Sequence, residues 1–392
     1  MKRKLALIIA LMMVFTAVIS GCAKQEPQQN AQQPADQEVI KIGVFEPLTG
    51  ANAAGGEIEL DGVKLAKELY PEVLGKQVEL VIVDNKSDKV EAANAAARLI
   101  DKEKVVAIIG SWGSSLSMAA GDAVKNAKIP TVAASATNPL VTLNNDFYFR
   151  VCFLDPFQGN VMANYAFNKL GAKKAAIIQE VSNDYSVGLA KFFTDSFKEL
   201  TGDENAIVGV ANYNTGDMDF SAQLTNIKQL QPDVIFAPGN FTESALLIKQ
   251  AKQLGIDIPF LGGDTWETPE FVQIGGDAVE GVVFSTFFAS EVPITEMSKV
   301  FLEEYGKRNT DEPAAVTALG FDAYLVVLDA IKRANSTDPV AIRDAIADTK
   351  DFKGAAGIIT LDENGDAVKS AVIKVVKDGK FTFMDVVEPT KK

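Results

Sequence analysis

Short apolar runs alternate along the chain with longer segments in which apolar residues recur at helical spacing. Runs rich in β-branched residues predict buried strands at 40–45, 78–83, 105–110, 130–134, 174–179, 233–238 and 281–288. Segments 88–104, 186–202 and 242–255 predict amphipathic helices, the last two ending at Gly202 and Gly255. In the first of these helices we expect the buried stripe to consist of Val90, Ala93, Ala97 and Ile100.

This alternation of strands and helices predicts an α/β fold with doubly wound parallel sheets covered by helices on both faces. A length of 392 residues favours two domains. Near the C-terminus the alternation of strands and helices stops. There Asp378-Gly379 separates two runs in which apolar and polar residues alternate, which predicts a β-hairpin.

Residues 1–22 have the pattern of a secretory signal peptide, with three basic residues, an apolar run and a small-residue boundary. The Ile-Ser-Gly-Cys ending resembles a bacterial lipobox, which implies that Cys22 is lipidated and becomes the first mature residue. A plain signal anchor with an incidental Cys22 is the alternative. The polar, proline-bearing segment 23–38 predicts a flexible tether. We therefore expect a lipid-anchored protein on the cell membrane that faces the periplasm or the exterior.

Charge and composition narrow the class of function. The formal net charge of −14 repels phosphate backbones and anionic headgroups, so we expect no nucleic-acid partner and contact with the membrane only through the lipid. The sequence has no histidine, which excludes Ser-His-Asp catalysis and His-ligated metal sites. No cofactor or metal motif is present, and Cys152 is expected to be a buried structural thiol. A carboxylate-dependent hydrolase is the remaining enzymatic alternative, but no paired acids stand out, so we expect no enzyme.

Loops that follow the predicted strands combine glycine, small hydroxyls and single aromatic residues. Open α/β sheets bind ligands at the carboxyl ends of their strands, so these loops are the candidate site. They span 46–57, 110–115, 134–139, 180–186, 238–244 and 262–270. Four aromatic residues in these loops are candidates to line a pocket: Trp112, Tyr185, Phe241 and Trp266. The alternative for each of them is packing in the hydrophobic core.

Two of these loops are expected to end at helix N-termini, one at Ser114 or Ser115 and one at Asn138-Pro139. Free N–H groups and hydroxyls at such positions suit a carboxylate. The alternative is that Ser114, Ser135 and Thr137 only cap their own helices. Asp264 follows another predicted strand, and its carboxylate is a candidate to pair with the ammonium group of a ligand. The alternative is that Asp264 only stabilises a turn or caps a helix. Together these groups match a zwitterion.

Several ordered stretches from about residue 39 to the C-terminus resemble the solute-binding proteins of branched-chain amino acid ABC transporters, the leucine/isoleucine/valine-binding group of type I periplasmic binding proteins. They are IKIGVFEPLTGANAAGGEIELDGVKLA, IIGSWGSSLSMA, IPTVAASATNP, NDYSVGLAKFF, DFSAQLTNIKQLQPDVIFAPG and QAKQLGIDIPFLGGD. The resemblance implies that Ser114, Ser135 and Thr137 bind the ligand α-carboxylate, that Tyr185 is an aromatic contact and that Asp264 receives the α-ammonium. The predicted ligand-binding set is Trp112, Ser114, Ser135, Ala136, Thr137, Tyr185, Asn240 and Asp264.

The sequence departs from the family pattern where side-chain specificity is set. Residues 53–56 replace an aromatic residue with Ala-Ala-Gly-Gly, and Asn240 replaces a tyrosine. The family architecture implies two lobes joined by a three-segment hinge, with lobe 1 at 39–155 plus 286–365 and lobe 2 at 156–285 plus 366–388. It implies a monomer that captures an amino acid, branched-chain or similar, and delivers it to ABC permease subunits. The alternative is a sensor of the same fold for an amide or other small solute.

Overall fold

The computed structural model describes residues 39–389. The predicted signal peptide, Cys22 and the tether lie outside the described residues. The strands are β1 Ile40–Glu46, β2 Glu72–Val73, β3 Lys76–Asp84, β4 Ala107–Ile109, β5 Thr131–Ala133, β6 Tyr148–Arg150, β7 Ala175–Glu180, β8 Ile207–Tyr213, β9 Val234–Phe236, β10 Phe260–Gly262, β11 Val283–Thr286, β12 Phe352–Gly354, β13 Gly357–Ile359, β14 Ala371–Lys377 and β15 Lys380–Val387. The helices are α1 Ala53–Leu69, α2 Lys89–Arg98, α3 Ser114–Ala127, α4 Asp155–Asn164, α5 Asp184–Thr201, α6 Ser221–Leu230, α7 Phe241–Gln253, α8 Pro269–Gly275, α9 Glu296–Gly306, α10 Ala315–Ala334 and α11 Pro339–Ala347.

The strands form two large sheets that are mostly parallel. The first sheet has the order β2-β3-β1-β4-β5-β6, and the second has the order β15-β14-β11-β10-β9-β7-β8. In the first sheet β1 pairs in parallel with β3 and β4, and in the second β7 pairs in parallel with β8 and β9. Apolar side chains on both faces of β1 and β7 are buried, as expected for parallel strands covered by helices. The predicted α/β fold with two parallel sheets is confirmed.

The chain passes between the two sheets three times. It leaves the first sheet after β6, returns after β11 to add α9, α10 and α11, and joins the second sheet again at β14. Helix α10 belongs with the first sheet because it packs along α1, and α4 packs along α5 beside the second sheet. We call the first sheet with its helices the first lobe, and the second sheet with its helices the second lobe.

Each of the predicted strands is present, and so is the C-terminal hairpin. Asp378 and Gly379 both have positive φ, 52° and 69°, as a type I′ turn requires between β14 and β15. Helix α5 is capped at its C-terminus by Gly202, as expected, and Gly255 follows the end of α7 in the left-handed conformation. Cys152 is a buried thiol, also as expected. Within residues 39–389, no helix is both long and apolar enough to cross a bilayer.

The buried stripe predicted for α2 is wrong by about one residue. Val90 is 68% exposed, and the buried face consists of Ala92, Ala95 and Ala96, continued by Leu99 in the π-helical turn that follows. In a helix this rich in alanine, more than one face is apolar enough to be buried. Packing of α2 against α3 therefore decides the orientation, and the sequence pattern alone does not.

Candidate functional site

A small cavity of about 10 Å³, with room for about one water molecule, lies where loops after the strands of both sheets meet. Its lining residues are Trp112, Gly113, Ser114, Ser135, Asn183, Tyr185, Asn240, Asp264 and Thr265. Six of the eight sequence-predicted site residues are thus brought together from segments far apart in the chain. The other two, Ala136 and Thr137, are fully buried beside Ser135 and do not line the cavity. The roles of all eight toward a ligand stay predictions.

Helix α3 begins at the cavity, and its first residue is Ser114. The N-cap residue is Gly113, with no side-chain capping bond, so Ser114 does not cap its own helix. Its hydroxyl instead accepts a hydrogen bond from Asn138 N at 3.1 Å, which ties this loop to the next. The first N–H groups of a helix have no intrahelical acceptor, so this end of the cavity presents donors and a positive dipole.

The prediction of a second helix N-terminus, at Asn138-Pro139, is wrong. Asn138 does accept from Leu140 N at 2.9 Å, but the turn that it begins is a 3₁₀ helix of three residues, Pro139–Val141. A turn of three residues aligns few peptide dipoles, so this end carries little dipole. The cap here is Asn138, and neither Ser135 nor Thr137 caps a helix.

The segment Ser135–Thr137 is held from behind by buried polar groups. The Ser135 hydroxyl donates to Glu59 Oε2 in a short hydrogen bond, and Ala136 O accepts from Arg150 Nη1 at 2.6 Å. Thr137 Oγ1 is buried beside the carboxyl group of Asp155, and hydrogen bonding from Thr137 partly opposes the rise in the pKa of that acid. A hydroxyl that donates to Asp155 keeps its lone pairs, with which it can accept from a further partner.

The second-lobe wall is centred on Asp264, which is 3% exposed. Its Oδ1 atom accepts from Tyr185 OH at 3.0 Å and from Gln158 Nε2 at 2.7 Å. Burial raises the pKa of Asp264 to about 7, although both hydrogen bonds act in the opposite direction. Both donors are neutral, so they stabilise the ionised carboxylate only in part, and a cation that approaches from the cavity would stabilise it further.

The two walls are bonded to each other at the rim of the cavity. Asn240 Nδ2 donates to Asn52 Oδ1 at 2.9 Å, and Asn138 Nδ2 donates to Asp184 O at 2.9 Å. Lys89 Nζ lies 2.8 Å from Asp184 Oδ2. Each of these bonds joins a first-lobe residue to a second-lobe residue, so the geometry of the cavity depends on how the lobes meet.

Two candidate wall aromatics belong to the core instead. Phe241 is buried and contacts Trp112 edge-on, with ring centroids 6.1 Å apart, and Trp266 stacks on Phe271 at 4.9 Å. The first predicted loop is also shorter than expected, because Ala53 already begins α1. The Ala-Ala-Gly-Gly stretch is therefore the first turn of a helix.

Sequence reasoning assigned no site role to Gly113, Asn183 and Thr265, which line the cavity, or to four buried polar residues around it, Glu46, Glu59, Asp155 and Gln158. One of them carried a signal, because Glu59 falls on the apolar stripe of α1 that continues through Val63 and Ala66. An acid at a position that helical spacing assigns to the core is a candidate for a specific buried role.

Comparisons with known proteins show the family of the chain. Residues 39–380 match the family model described as periplasmic binding protein. The chain is 30% identical over 353 residues to Leu/Ile/Val-binding protein homolog 1 of Brucella abortus, covering 88% of this chain and 93% of that protein.

Two solved structures are similar over nearly the whole chain. A leucine-binding protein, LivK, from Thermotoga maritima has 46% identity and a TM-score of 0.86, covering 89% of this chain and 99% of that one. The branched-chain amino acid transporter substrate-binding protein LivJ from Streptococcus pneumoniae, in complex with isoleucine, has 34% identity and a TM-score of 0.84, covering 90% and 100%. These relatives are solute-binding proteins of transporters and not enzymes. The chain belongs to the periplasmic binding protein family, and within it to the substrate-binding proteins of branched-chain amino acid ABC transport.

Proposed function

We propose that the cavity binds an α-amino acid, branched-chain or similar, and that the protein delivers it to the permease of an ABC transporter. The observation that carries this proposal is Asp264, a buried acid on the cavity wall whose hydrogen-bond donors are both neutral. It suits the α-ammonium, and the start of α3 at Ser114 suits the α-carboxylate. The first lobe then receives the α-carboxylate at the start of α3, and the acid of the second lobe receives the α-ammonium.

The names of the relatives support the class of ligand. LivJ was solved with isoleucine, and the Brucella relative is named for leucine, isoleucine and valine. The indole of Trp112 and the amide of Asn240 line the same cavity and complete the proposed ligand-binding set with Ser135, Ala136, Thr137 and Tyr185.

Replacing the acid tests the proposal. We expect Asp264→Ala to lower the affinity for leucine, isoleucine or valine by about 10- to 150-fold, because a charged hydrogen bond contributes roughly 1.5–3 kcal/mol. Isothermal titration calorimetry measures the affinity, and circular dichroism checks that the fold is intact. Asp257→Ala, at an exposed acid of the same lobe, is the matched control. Unchanged affinity in Asp264→Ala would remove the assigned role.

We also propose that binding involves two lobes that move about a hinge of three segments. The division places lobe 1 at 39–155 plus 286–365 and lobe 2 at 156–285 plus 366–388. The three passages of the chain between the sheets support it. Small-angle X-ray scattering with and without leucine would detect closure as a decrease in the radius of gyration.

Attachment to the membrane through Cys22 is part of the same proposal. The protein would be a monomer tethered by residues 23–38, with the cavity facing the periplasm or the exterior. In the native host, Cys22→Ser is expected to move the protein from the membrane fraction to the soluble fraction while the affinity for ligand stays the same. Uptake of radiolabelled leucine in a strain lacking the protein would test delivery to the permease.

A further inference from the structure

Two buried acids lie directly behind the first-lobe wall of the cavity. Glu46 Oε2 accepts the backbone N–H of Trp112 at 2.6 Å, and Glu59 Oε2 accepts the hydroxyl of Ser135. Both glutamates are fully buried. Each acid therefore holds one residue that lines the cavity, although neither lines it itself.

The remaining oxygen of each carboxyl group is unsatisfied. Glu46 Oε1 and Glu59 Oε1 are buried, and neither has a hydrogen-bond donor among residues 39–389. The two side chains are close enough to hydrogen bond to each other. Two ionised carboxylates at this separation would repel strongly in a buried site, whereas a proton held between them satisfies both unsatisfied oxygens.

No cationic side chain of the described residues pairs with the two acids. The ionisable groups that act on them are Asp264 in the second lobe, the phenol of Tyr148 and the thiol of Cys152, all acidic or neutral. Arg150 lies in the same region, but its guanidinium pairs with Asp366 at 2.6 Å. The negative charge of the two glutamates can therefore be reduced by a bound proton, since no cationic side chain of the described residues pairs with them.

We propose that Glu46 and Glu59 share one proton and act as a positioning pair, which fixes Trp112 and restricts Ser135 to accepting a hydrogen bond from the ligand. A serine hydroxyl has a single proton, and here Glu59 receives it. The lone pairs of Ser135 then face the ligand and suit the ammonium, not the carboxylate that the family resemblance implied. This assignment for Ser135 rests on the proposed function, whereas the shared proton does not.

The proton-sharing pair gives the site a pH dependence with a defined sign. Burial raises the pKa of Glu59 to about 7, against the opposing hydrogen bonds from Ser135 and Glu46. Burial, followed by the charge of Glu59, raises the pKa of Glu46 well above its usual range. Glu59 therefore loses its own proton first, near neutral pH, which leaves one proton shared by the pair. That proton is lost only above the raised pKa of Glu46, and there we expect the carboxylates to repel each other and the affinity for ligand to fall.

Infrared spectroscopy of the ligand-free protein tests the shared proton directly. In protein labelled with ¹³C-glutamate, we expect a protonated carboxylic-acid carbonyl band at about pH 6 that weakens toward pH 9. The label separates this band from those of buried aspartates. The band must be diminished in both Glu59→Gln and Glu46→Gln, and a spectrum without such a band, or one that neither variant alters, overturns the proposal.

Ligand binding tests the positioning role. Glu59→Gln can accept from Ser135 through its amide oxygen and donate to Glu46 through its amide nitrogen, so leucine affinity should stay within about threefold at neutral pH and vary little with pH. Glu59→Leu loses both bonds and should bind at least about tenfold more weakly. The same substitution at the exposed neighbour, Glu57→Gln, is the control and should keep the pH profile of the wild type.

The possible outcomes separate the two proposals. If Glu59→Gln binds leucine as weakly as Glu59→Leu, or keeps the wild-type pH profile, the positioning role is wrong. If the wild type binds no branched-chain amino acid, the proposed function fails, while the infrared band still decides whether the two glutamates share a proton.

Discussion

Ser115 and Asp184 form two hydrogen bonds with each other across the cleft. The Ser115 hydroxyl donates to Asp184 Oδ2 at 2.8 Å and accepts from Asp184 N at 2.9 Å. Ser115 lies at the start of α3 in the first lobe, and Asp184 begins α5 in the second. Lys89 adds an ion pair to the same carboxylate at 2.8 Å, so Asp184 joins the lobes outside the ligand cavity.

We predict that Asp184→Ala weakens ligand binding although Asp184 does not line the cavity. The substitution removes the hydrogen bond from Ser115 and the ion pair with Lys89, so the closed arrangement becomes less favourable relative to the open one. Bonds of this kind contribute about 1–2 kcal/mol together, which predicts an affinity lower by about 5- to 30-fold. Stopped-flow fluorescence should show most of the change in the dissociation rate constant.

Lys89→Met isolates the ion pair. Both partners are about half exposed, so we expect at most about a fivefold loss that disappears at high salt. Lys191→Met is the matched control, since its ion pair with Asp195 lies within α5. Equal effects of Lys89→Met and Lys191→Met would contradict a role for the contact between the lobes.

Gly55→Ala should disturb the cavity through Trp112. A Cβ atom at residue 55 would lie 2.4 Å from Trp112 Cε2, so the indole must move. Because Trp112 lines the cavity, we predict a loss of ligand affinity of about tenfold or more, together with a destabilisation of about 1–3 kcal/mol from overpacking. Calorimetry gives the first quantity and urea unfolding the second.

Gly306→Ala provides the comparison for this prediction. Gly306 is also helical, but among residues 39–389 no atom outside its own helix backbone lies within 4 Å of the position that a Cβ would take. Alanine there should stabilise the fold by about 0.5–1 kcal/mol and leave binding unchanged. If Gly55→Ala behaves like Gly306→Ala, the indole of Trp112 is not constrained as the structure indicates.

The fold could be predicted because its signals are local. Continuous apolar runs such as β1 are typical of strands buried on both faces, and Asp378-Gly379 specifies a tight hairpin turn. Ser114 and Asp264 were found by the same local logic, since each follows a buried strand at its carboxyl end. The buried face of α2 could not be predicted from the sequence in this way, because its alanines are distributed over more than one face of the helix.

The supporting part of the site depends on contacts between residues far apart in the sequence. Glu59 binds Ser135 over a separation of 76 residues, and Asp184 binds Ser115 over a separation of 69. Most glutamates and aspartates are solvent-exposed, so composition gives no reason to bury these particular ones. Their roles follow only from the tertiary structure, which decides which acids are desolvated and which hydroxyls they meet.

Stability should depend on pH in the direction opposite to ordinary acid unfolding. Burial raises the pKa of Asp155 to about 8, of Asp264 and Glu59 to about 7, and of Asp322 to about 6. In the unfolded chain these groups titrate near pH 4. Between about pH 4 and pH 8 the folded chain therefore holds protons that the unfolded chain has released, and stability is lost as the pH rises.

We expect the melting temperature of the ligand-free protein to fall by more than about 5 °C from pH 5 to pH 8. Each pKa unit corresponds to about 1.4 kcal/mol at most, and a chain of this size loses roughly 2 °C per kcal/mol. Differential scanning fluorimetry at constant ionic strength measures the slope. Asp155→Asn should flatten it, because burial raises the pKa of Asp155 above neutrality despite the opposing hydrogen bond from Thr137. A melting temperature that is constant or rises over this range would show that these acids are ionised in the folded protein.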